Sequence, residues 1–340
     1  MSRKRIIQIV IAVLLILMIL SIECLCNYTN GRLISQSMVD RWNSDSQFAQ
    51  VTAFLSDEAS VTSDSIAGTN IALRQALKNA GQEQETGRIL ADAYCTWTTL
   101  NFSSNKAGTS FRTYGVGGDF FLFHPLTLVS GSYFDDETDE NSDGVVLDER
   151  AAWALFGGTD VEGMIVEAAN TAYVVRGVVK AEAGPFAKAA GAEEPTIYMN
   201  FKSLEKAVSS DNKLYVRCYE ILMRDAVDGF SRSMLETSLG IKEERREIIE
   251  NSRRFSFSSR VGLVKNFYVR AMNTKSVVYP VWENRARCYE QFCIPLTILE
   301  LILITILVIN IIILVYALYS FIKTKIPPKD EILDKLNKLF

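Results

Sequence analysis

Two long apolar runs, one near each end of the chain, decide what the rest can become. The first, Ile6 to Ile22, follows Arg3, Lys4 and Arg5 and is 17 residues long, near the lower limit for a membrane-crossing helix. A cleaved leader would show a shorter apolar stretch and small residues before the cut. Here "IECLCN" follows, with no Ala-x-Ala and with Glu23 beside Cys24, so an uncleaved anchor is expected. The second run, Phe292 to Ile322, carries no charge from Leu301 onward and stops at Lys323 and Lys325. Basic residues crowd the terminal end of both runs, at Arg3–Arg5 and at Lys323–Lys329. The positive-inside rule then puts both termini in the cytoplasm, and Arg285 and Arg287 weaken that bias only slightly. The expected organisation is a cytoplasmic stub and first transmembrane helix over 1–26 and an extracytoplasmic domain over 27–291. A second transmembrane helix over 292–322 and a cytoplasmic tail over 323–340 complete it.

The middle segment is long enough for a sizeable core, in one large or two smaller domains. With 36 basic against 40 acidic residues and a net charge of −4, the chain lacks the basic excess of a nucleic-acid binder. Six cysteines are scattered, with Cys24, Cys26 and Cys293 at the membrane borders. Cys95, Cys218 and Cys288 remain in the outer segment, an odd number without short spacing, so no disulfide framework is expected, though one bridge stays open.

Leu33, Ile34, Met38, Val39 and Trp42 recur at helical spacing, which predicts that the first membrane helix continues outward as a stalk. Gln47–Ser56 reads as a strand. "SDSIAGTNIALRQALKNAG" reads as a helix started by Ser63 or Asp64 and closed by Gly81. "ILADAYCTWTTLNFSS" and "GTSFRTYGVGG" pair as a hairpin. A second βα unit follows late: a strand over Leu214–Asp225 and a helix closed by Gly240. "EERREIIENSRRF" reads as a charged helix and "SVVYPVW" as a strand running into a second stalk. Two βα units around a β-rich middle, about 120–199, predict an α+β fold, a βα lobe with an inserted β-rich lobe. The tail places Ile332, Leu333, Leu336, Leu339 and Phe340 on one helical face, fit to lie on the membrane or on a cytoplasmic partner.

Several stretches invite a chemical reading. In "VVLDERAAWALFGG" the glycines follow the helix, whereas a phosphate cradle must precede it, where the free N–H groups are. Asp148 is placed to cap that helix and Gly157 or Gly158 to end it. "GVGGDFF" fails too, because no helical pattern follows Gly118, and no P-loop motif occurs. Asp139, Asn141, Asp143 and Gly144 match the first half of a calcium loop, but Arg150 stands where a bidentate Glu is needed. His124, the single histidine, suits a structural role better than a metal site or a Ser–His pair. No catalytic residue, metal site or cofactor site is therefore assigned. Glu300 lies inside the second apolar run, with Asn310 ten residues on and on the same side. Glu300 either reaches the outer headgroups or, with Asn310, contacts a partner helix.

The stretch from "YGVGGDFFLFHPLTLVSGSYFDD" to "TAYVVRGVVK" resembles the extracytoplasmic core of MacB/FtsX-type ABC transporter permeases. The resemblance rests on the aromatic run, Leu128, Gly131 and Phe134, then Val145 to Leu147. It continues through Leu155 to Gly157, Gly163, and Tyr173 to Val179. It implies a porter-like α+β lobe with a β-rich insert, coupled by mechanotransmission to a separate cytoplasmic ABC ATPase. A further permease subunit, a homo- or hetero-oligomer and membrane lipid are the other partners implied. Family permeases carry more spans after the second than this chain shows, which puts the full coupling surface in doubt. The expectation is thus a non-catalytic permease-like subunit whose outer domain moves or docks. The alternatives are a membrane-anchored binding or sensory module and, less favoured by the residues, a membrane-anchored hydrolase.

Overall fold

The computed structural model describes residues 3–42, 48–82, 88–134, 143–208, 213–225, 227–270 and 275–325. The chain divides into two compact units, Met1–Thr29 with Phe292–Phe340, and Asn30–Gln291. The helices are α1 (Arg3–Asn30), α2 (Met38–Trp42), α3 (Ser63–Asn79), α4 (Phe120–Phe123), α5 (Glu149–Phe156) and α6 (Pro185–Ala189). They continue as α7 (Phe201–Ala207), α8 (Phe230–Leu239), α9 (Phe257–Lys265), α10 (Phe267–Arg270) and α11 (Val281–Lys325). The strands are β1 (Phe48–Leu55), β2 (Leu90–Ser103), β3 (Gly108–Gly118), β4 (Leu128–Gly131) and β5 (Gly144–Asp148). After them come β6 (Ile165–Ala168), β7 (Thr171–Val179), β8 (Thr196–Asn200), β9 (Cys218–Arg224) and β10 (Arg246–Glu250).

In the first unit, α1 and the later part of α11 are long and apolar enough to cross a membrane. They meet through Leu15, Ile22 and Cys26 on one side and Cys293 and Leu303 on the other. Near the termini, an Arg5 guanidinium N–H donates to the Ala317 carbonyl at 3.2 Å and stacks 4.7 Å from the Phe321 ring centroid.

The second unit is built on one ten-stranded sheet, in the order β10-β1-β9-β2-β3-β8-β5-β7-β4, with β6 paired to β2 and β7. Neighbours are antiparallel except for β3 with β8 and β5 with β7. The α+β expectation is met: a mixed sheet core with an apolar helix at each end of the chain. The βα strands (β1, β2, β9, β10) and the strands of the β-rich region belong to the same sheet, joined by the β2–β3 hairpin.

Several local expectations are corrected. The stalk is not one helix, because α1 ends at Asn30 and a turn at Gly31 separates it from α2. Helix α3 is capped by Thr62 in a capping box with Ser65, not by Ser63 or Asp64. The charged helix expected over "EERREIIENSRRF" is instead a 3-10 turn followed by β10, paired along the edge of β1. Helix preferences of Glu and Arg amount to tenths of a kcal/mol per residue, so an open sheet edge and burial of Ile248 override them. "SVVYPVW" forms no strand; it runs as irregular chain up to Pro280 and the start of α11.

A one-turn helix, α4, does follow Gly118. Its start is occupied by the chain itself: Leu122 and Phe123 N–H groups donate to the Asp119 carbonyl, and the Asp119 carboxylate pairs with Arg88. Gly118 is needed for a different reason. Its φ is +64°, and a Cβ there would stand 2.4 Å from the Asp92 carbonyl oxygen.

The stretch from β5 through α5 is scaffolding. The Ala151 N–H donates to the Asp148 carboxylate at 2.7 Å, and Gly157 closes the helix in the left-handed region, φ 77°. Burial raises the Asp148 pKa to about 6, although its cap bonds oppose this. The folded state therefore holds that proton more tightly than the unfolded chain does. Ionisation costs stability above about pH 6, and the cost disappears as pH falls toward 4. Asp148→Asn, which keeps a capping oxygen, should be more stable than wild type at pH 7.5 by up to about 3 kcal/mol. That advantage should vanish near pH 4 in paired denaturation curves. Gly118→Ala should cost at least about 1 kcal/mol at any pH.

Candidate functional site

Successive strand residues face opposite sides of a sheet, and here the two sides differ in kind. β1 and β9 send Val51, Ala53, Leu55, Tyr219, Ile221 and Met223 to one side, where α3 and α8 cover them with Ile66, Leu73 and Leu235. To the other side go Phe48, Phe54, Cys218 and Leu222, with Met38, Phe120, Phe123 and Trp282 packed over them. Thr52 and Glu220 alternate into this second side, and both are buried.

A continuous chain of polar side chains crosses that second side. His124 Nε2 bonds Glu220 Oε2, and Thr52 Oγ1 donates to Glu220 Oε1 at 2.9 Å. Asn251 Nδ2 donates to Thr52 at 2.9 Å, and an Arg254 guanidinium N–H donates to Asn251 Oδ1 at 3.3 Å. Arg254 then grips α11. Its two terminal nitrogens donate to both carboxylate oxygens of Glu283 at 2.7 and 2.9 Å, and its Nε donates to Glu290 at 2.7 Å. Arg287 extends the lattice to Glu283 at 2.8 Å and to Glu247 at 3.0 Å, and lies 3.7 Å from the Tyr279 ring centroid. The Tyr279 hydroxyl donates to the second Glu247 oxygen.

Arg254 and Glu283 are 6% and 1% exposed. Burial alone would lower the Arg254 pKa, and Glu283 and Glu290 more than reverse this, holding it above its ordinary value. Burial likewise pushes Glu247 up, and Arg287 outweighs it, so Glu247 ends below the usual carboxylate range. A lattice of this kind fixes geometry: buried charges are tolerable only while every partner is in place.

Beside the lattice lies a small cavity of about 40 Å³, lined among others by Tyr114, Phe120, His124, Glu182, Tyr198 and Trp282. His124 Nδ1, Trp282 Nε1 and Glu182 Oε2 are buried there without a hydrogen-bond partner among the described residues. The Thr52 hydroxyl donates to Glu220 and not to the imidazole, so these two do not form a nucleophile–base pair. Among the described residues, no cluster of three His, Cys, Asp or Glu side chains could hold a metal ion.

The residues singled out by sequence fall as follows. Glu300 is buried, on the α11 stripe Cys293–Leu296–Leu303–Leu307 that faces α1. Asn310 is next on that stripe, and its Oδ1 has no partner among the described residues. Ile332, Leu333, Leu336, Leu339 and Phe340 lie outside the described residues, as do Asp139 and Asn141 of the calcium-like loop. Asp143 pairs with Arg176 at 3.0 Å. Cys95 and Cys218 face one another on β2 and β9, and both are free thiols, as is Cys288. Sequence reasoning missed Arg254, Glu283 and Glu290, because their pairing depends on chain crossings no local spacing reveals. Glu220 alone left a trace, as an acid at an inward position of an otherwise apolar strand.

The fold and lattice define an α+β domain stitched to the helix that leaves it, with an apolar helix on either flank. Residues 28–229, more than half the chain, match the MacB-like periplasmic core domain, and the chain belongs to that family. By that membership it is an ABC transporter-type permease component with an extracytoplasmic domain. Among solved structures it is similar to the periplasmic region of MacB from Actinobacillus actinomycetemcomitans. That match has 18% identity and a TM-score of 0.41, over 60% of this chain and 89% of the other. It is also similar to the extracellular domain of the noncanonic ABC-type transporter YknZ from Gram-positive bacteria. There the identity is 17% and the TM-score 0.41, over 60% of this chain and all of the other. No curated protein matches the chain.

Arg254→Met should strand two buried carboxylates and cost about 3–5 kcal/mol, lowering the thermal midpoint by roughly 6–20 °C. Glu247→Gln, at the better-solvated end, should cost far less, and differential scanning calorimetry of the two variants checks the order.

Proposed function

We propose that the chain is a membrane subunit of an ABC-type transporter, with both termini cytoplasmic. In this reading its outer domain and second apolar helix move together as a mechanical link. The observation that carries the reading is the Arg254 clamp on Glu283 and Glu290. These acids lie on the opening turns of α11, which continues as one helix to Lys325. Packed rigid elements of this kind carry coupling between distant sites. Pro295 lacks the N–H that would bond residue 291, so α11 forgoes one backbone hydrogen bond just beyond the clamp while remaining one helix. A separate ABC ATPase would supply the work from the cytoplasmic side, docking on Ile332, Leu333, Leu336, Leu339 and Phe340. A further permease subunit would meet the two membrane helices on faces other than the Glu300–Asn310 stripe, which is turned to α1.

One observation favours the second reading, an extracytoplasmic binding or sensory module. It is the small cavity against Trp282, whose His124 Nδ1, Trp282 Nε1 and Glu182 Oε2 have no hydrogen-bond partner among the described residues. Affinity capture separates the two, using the detergent-solubilised full-length chain with and without residues 326–340. The transport reading expects an ABC ATPase or a multi-span permease among the captured proteins, lost when the tail is removed. Capture of neither overturns it and leaves the binding module.

A further inference from the structure

A stretch that the above explains only in part is Asn251 to Trp282. It holds 32 residues with no acidic side chain and six basic ones, Arg253, Arg254, Arg260, Lys265, Arg270 and Lys275, in a chain of net charge −4. Helices α9 and α10 lie at its centre. The inward side of α9 is accounted for: Arg260 and Leu263 are buried. The outward side is not. Phe257, Phe267 and Tyr268 are 38%, 48% and 79% exposed, with the exposed Lys265 among them. Arg253 is engaged with Asp228, and Arg254 with Glu283 and Glu290, whereas Lys265 meets no acid among the described residues.

The position of this pair of helices suggests what covers it. Ser259, Gly262, Leu263 and Asn266 share a groove with Glu290 of α11, and Glu290 stands two residues before Phe292, where the apolar run begins. That run, Phe292 to Ile322, is about 46 Å long as a helix, which matches a bilayer with its headgroup layers included. Phe292 therefore falls at headgroup depth, and Glu290, whose groove α9 shares, lies within one helical turn of it along the chain. Aromatic rings and a lysine that meets no acid among the described residues are the side chains that depth selects. Rings sit with one edge wet and one apolar, and the lysine stem reaches up to phosphate.

We propose that α9 and α10 form an interfacial anchor that lies on the adjacent leaflet, with Phe267 and Tyr268 among the headgroups and Lys265 on anionic lipid phosphate. Two weak signals, apolar and electrostatic, act together there, as stable surface binding requires.

The test places a reporter at the most exposed ring. Full-length Tyr268→Trp is reconstituted in phosphatidylcholine vesicles with or without phosphatidylglycerol, and wild-type emission is subtracted for the four native tryptophans. A thermal midpoint equal to wild type confirms an undisturbed fold. Dibrominated phosphatidylcholine should quench the added emission about twofold or more, most strongly with phosphatidylglycerol present, and Lys265→Glu should remove that difference. Quenching by aqueous acrylamide but not by bromolipid overturns the proposal, as does quenching indifferent to phosphatidylglycerol. Shielding from both quenchers that rises with protein density overturns it in favour of a second copy on this face.

Discussion

The buried Arg254 guanidinium, held by Glu283 and Glu290, is the contact on which the placement of the other elements depends. Removing these three charges from water is costly, and they repay it only in one arrangement. That arrangement requires the chain after β10, the opening turns of α11 and the β1 edge to meet at one register. Two glutamines do the same for the entering chain. The Met38 N–H donates to Gln50 Oε1 at 3.0 Å, Gln50 Nε2 donates to the Ser35 carbonyl at 2.6 Å, and Gln36 Nε2 donates to the Trp282 carbonyl at 3.3 Å. Both segments that connect the sheet to the apolar helices are thereby fixed on the same side of it.

That asymmetry gives the domain its character. One side of the sheet is an ordinary apolar interface with helices, built largely from Val, Ile, Leu and Ala with a few aromatic rings such as Phe102, Phe111 and Phe201. The other carries aromatic rings and paired charges. Apolar packing is non-directional and tolerates substitution if volume is kept, whereas a hydrogen-bonded charge lattice admits few alternatives. The side that meets the membrane-connecting segments is therefore the side where geometry is specified most narrowly. This is what a domain needs if force is to pass through it without being absorbed by slippage.

Two features that could have suggested chemistry have structural roles in the described residues. His124, the histidine that could have suggested catalysis, ends the polar chain against Glu220 and packs on Phe120 and Trp282. The glycines that could have suggested a phosphate site serve a crowded strand end at Gly118 and a helix stop at Gly157.

What could be read from sequence was what depends on near neighbours. The apolar runs, the β2–β3 hairpin, α3, α8 and the Asp148-to-Gly157 helix all follow from periodicity, caps and turn residues within a few positions. The resemblance to the MacB core rested on the same short-range order. What only the tertiary structure decided depends on distant partners. β10 is a strand because β1 leaves an edge open, although Glu and Arg at those positions favour helix. The stalk breaks at Gly31 because Leu33 and Met38 are buried in separate clusters of the outer unit. The Arg254 lattice joins residues 29 and 36 positions apart, and the lattice as a whole reaches back to Thr52. Local spacing carries no information about such pairs, because burial and charge pairing are properties of the folded chain.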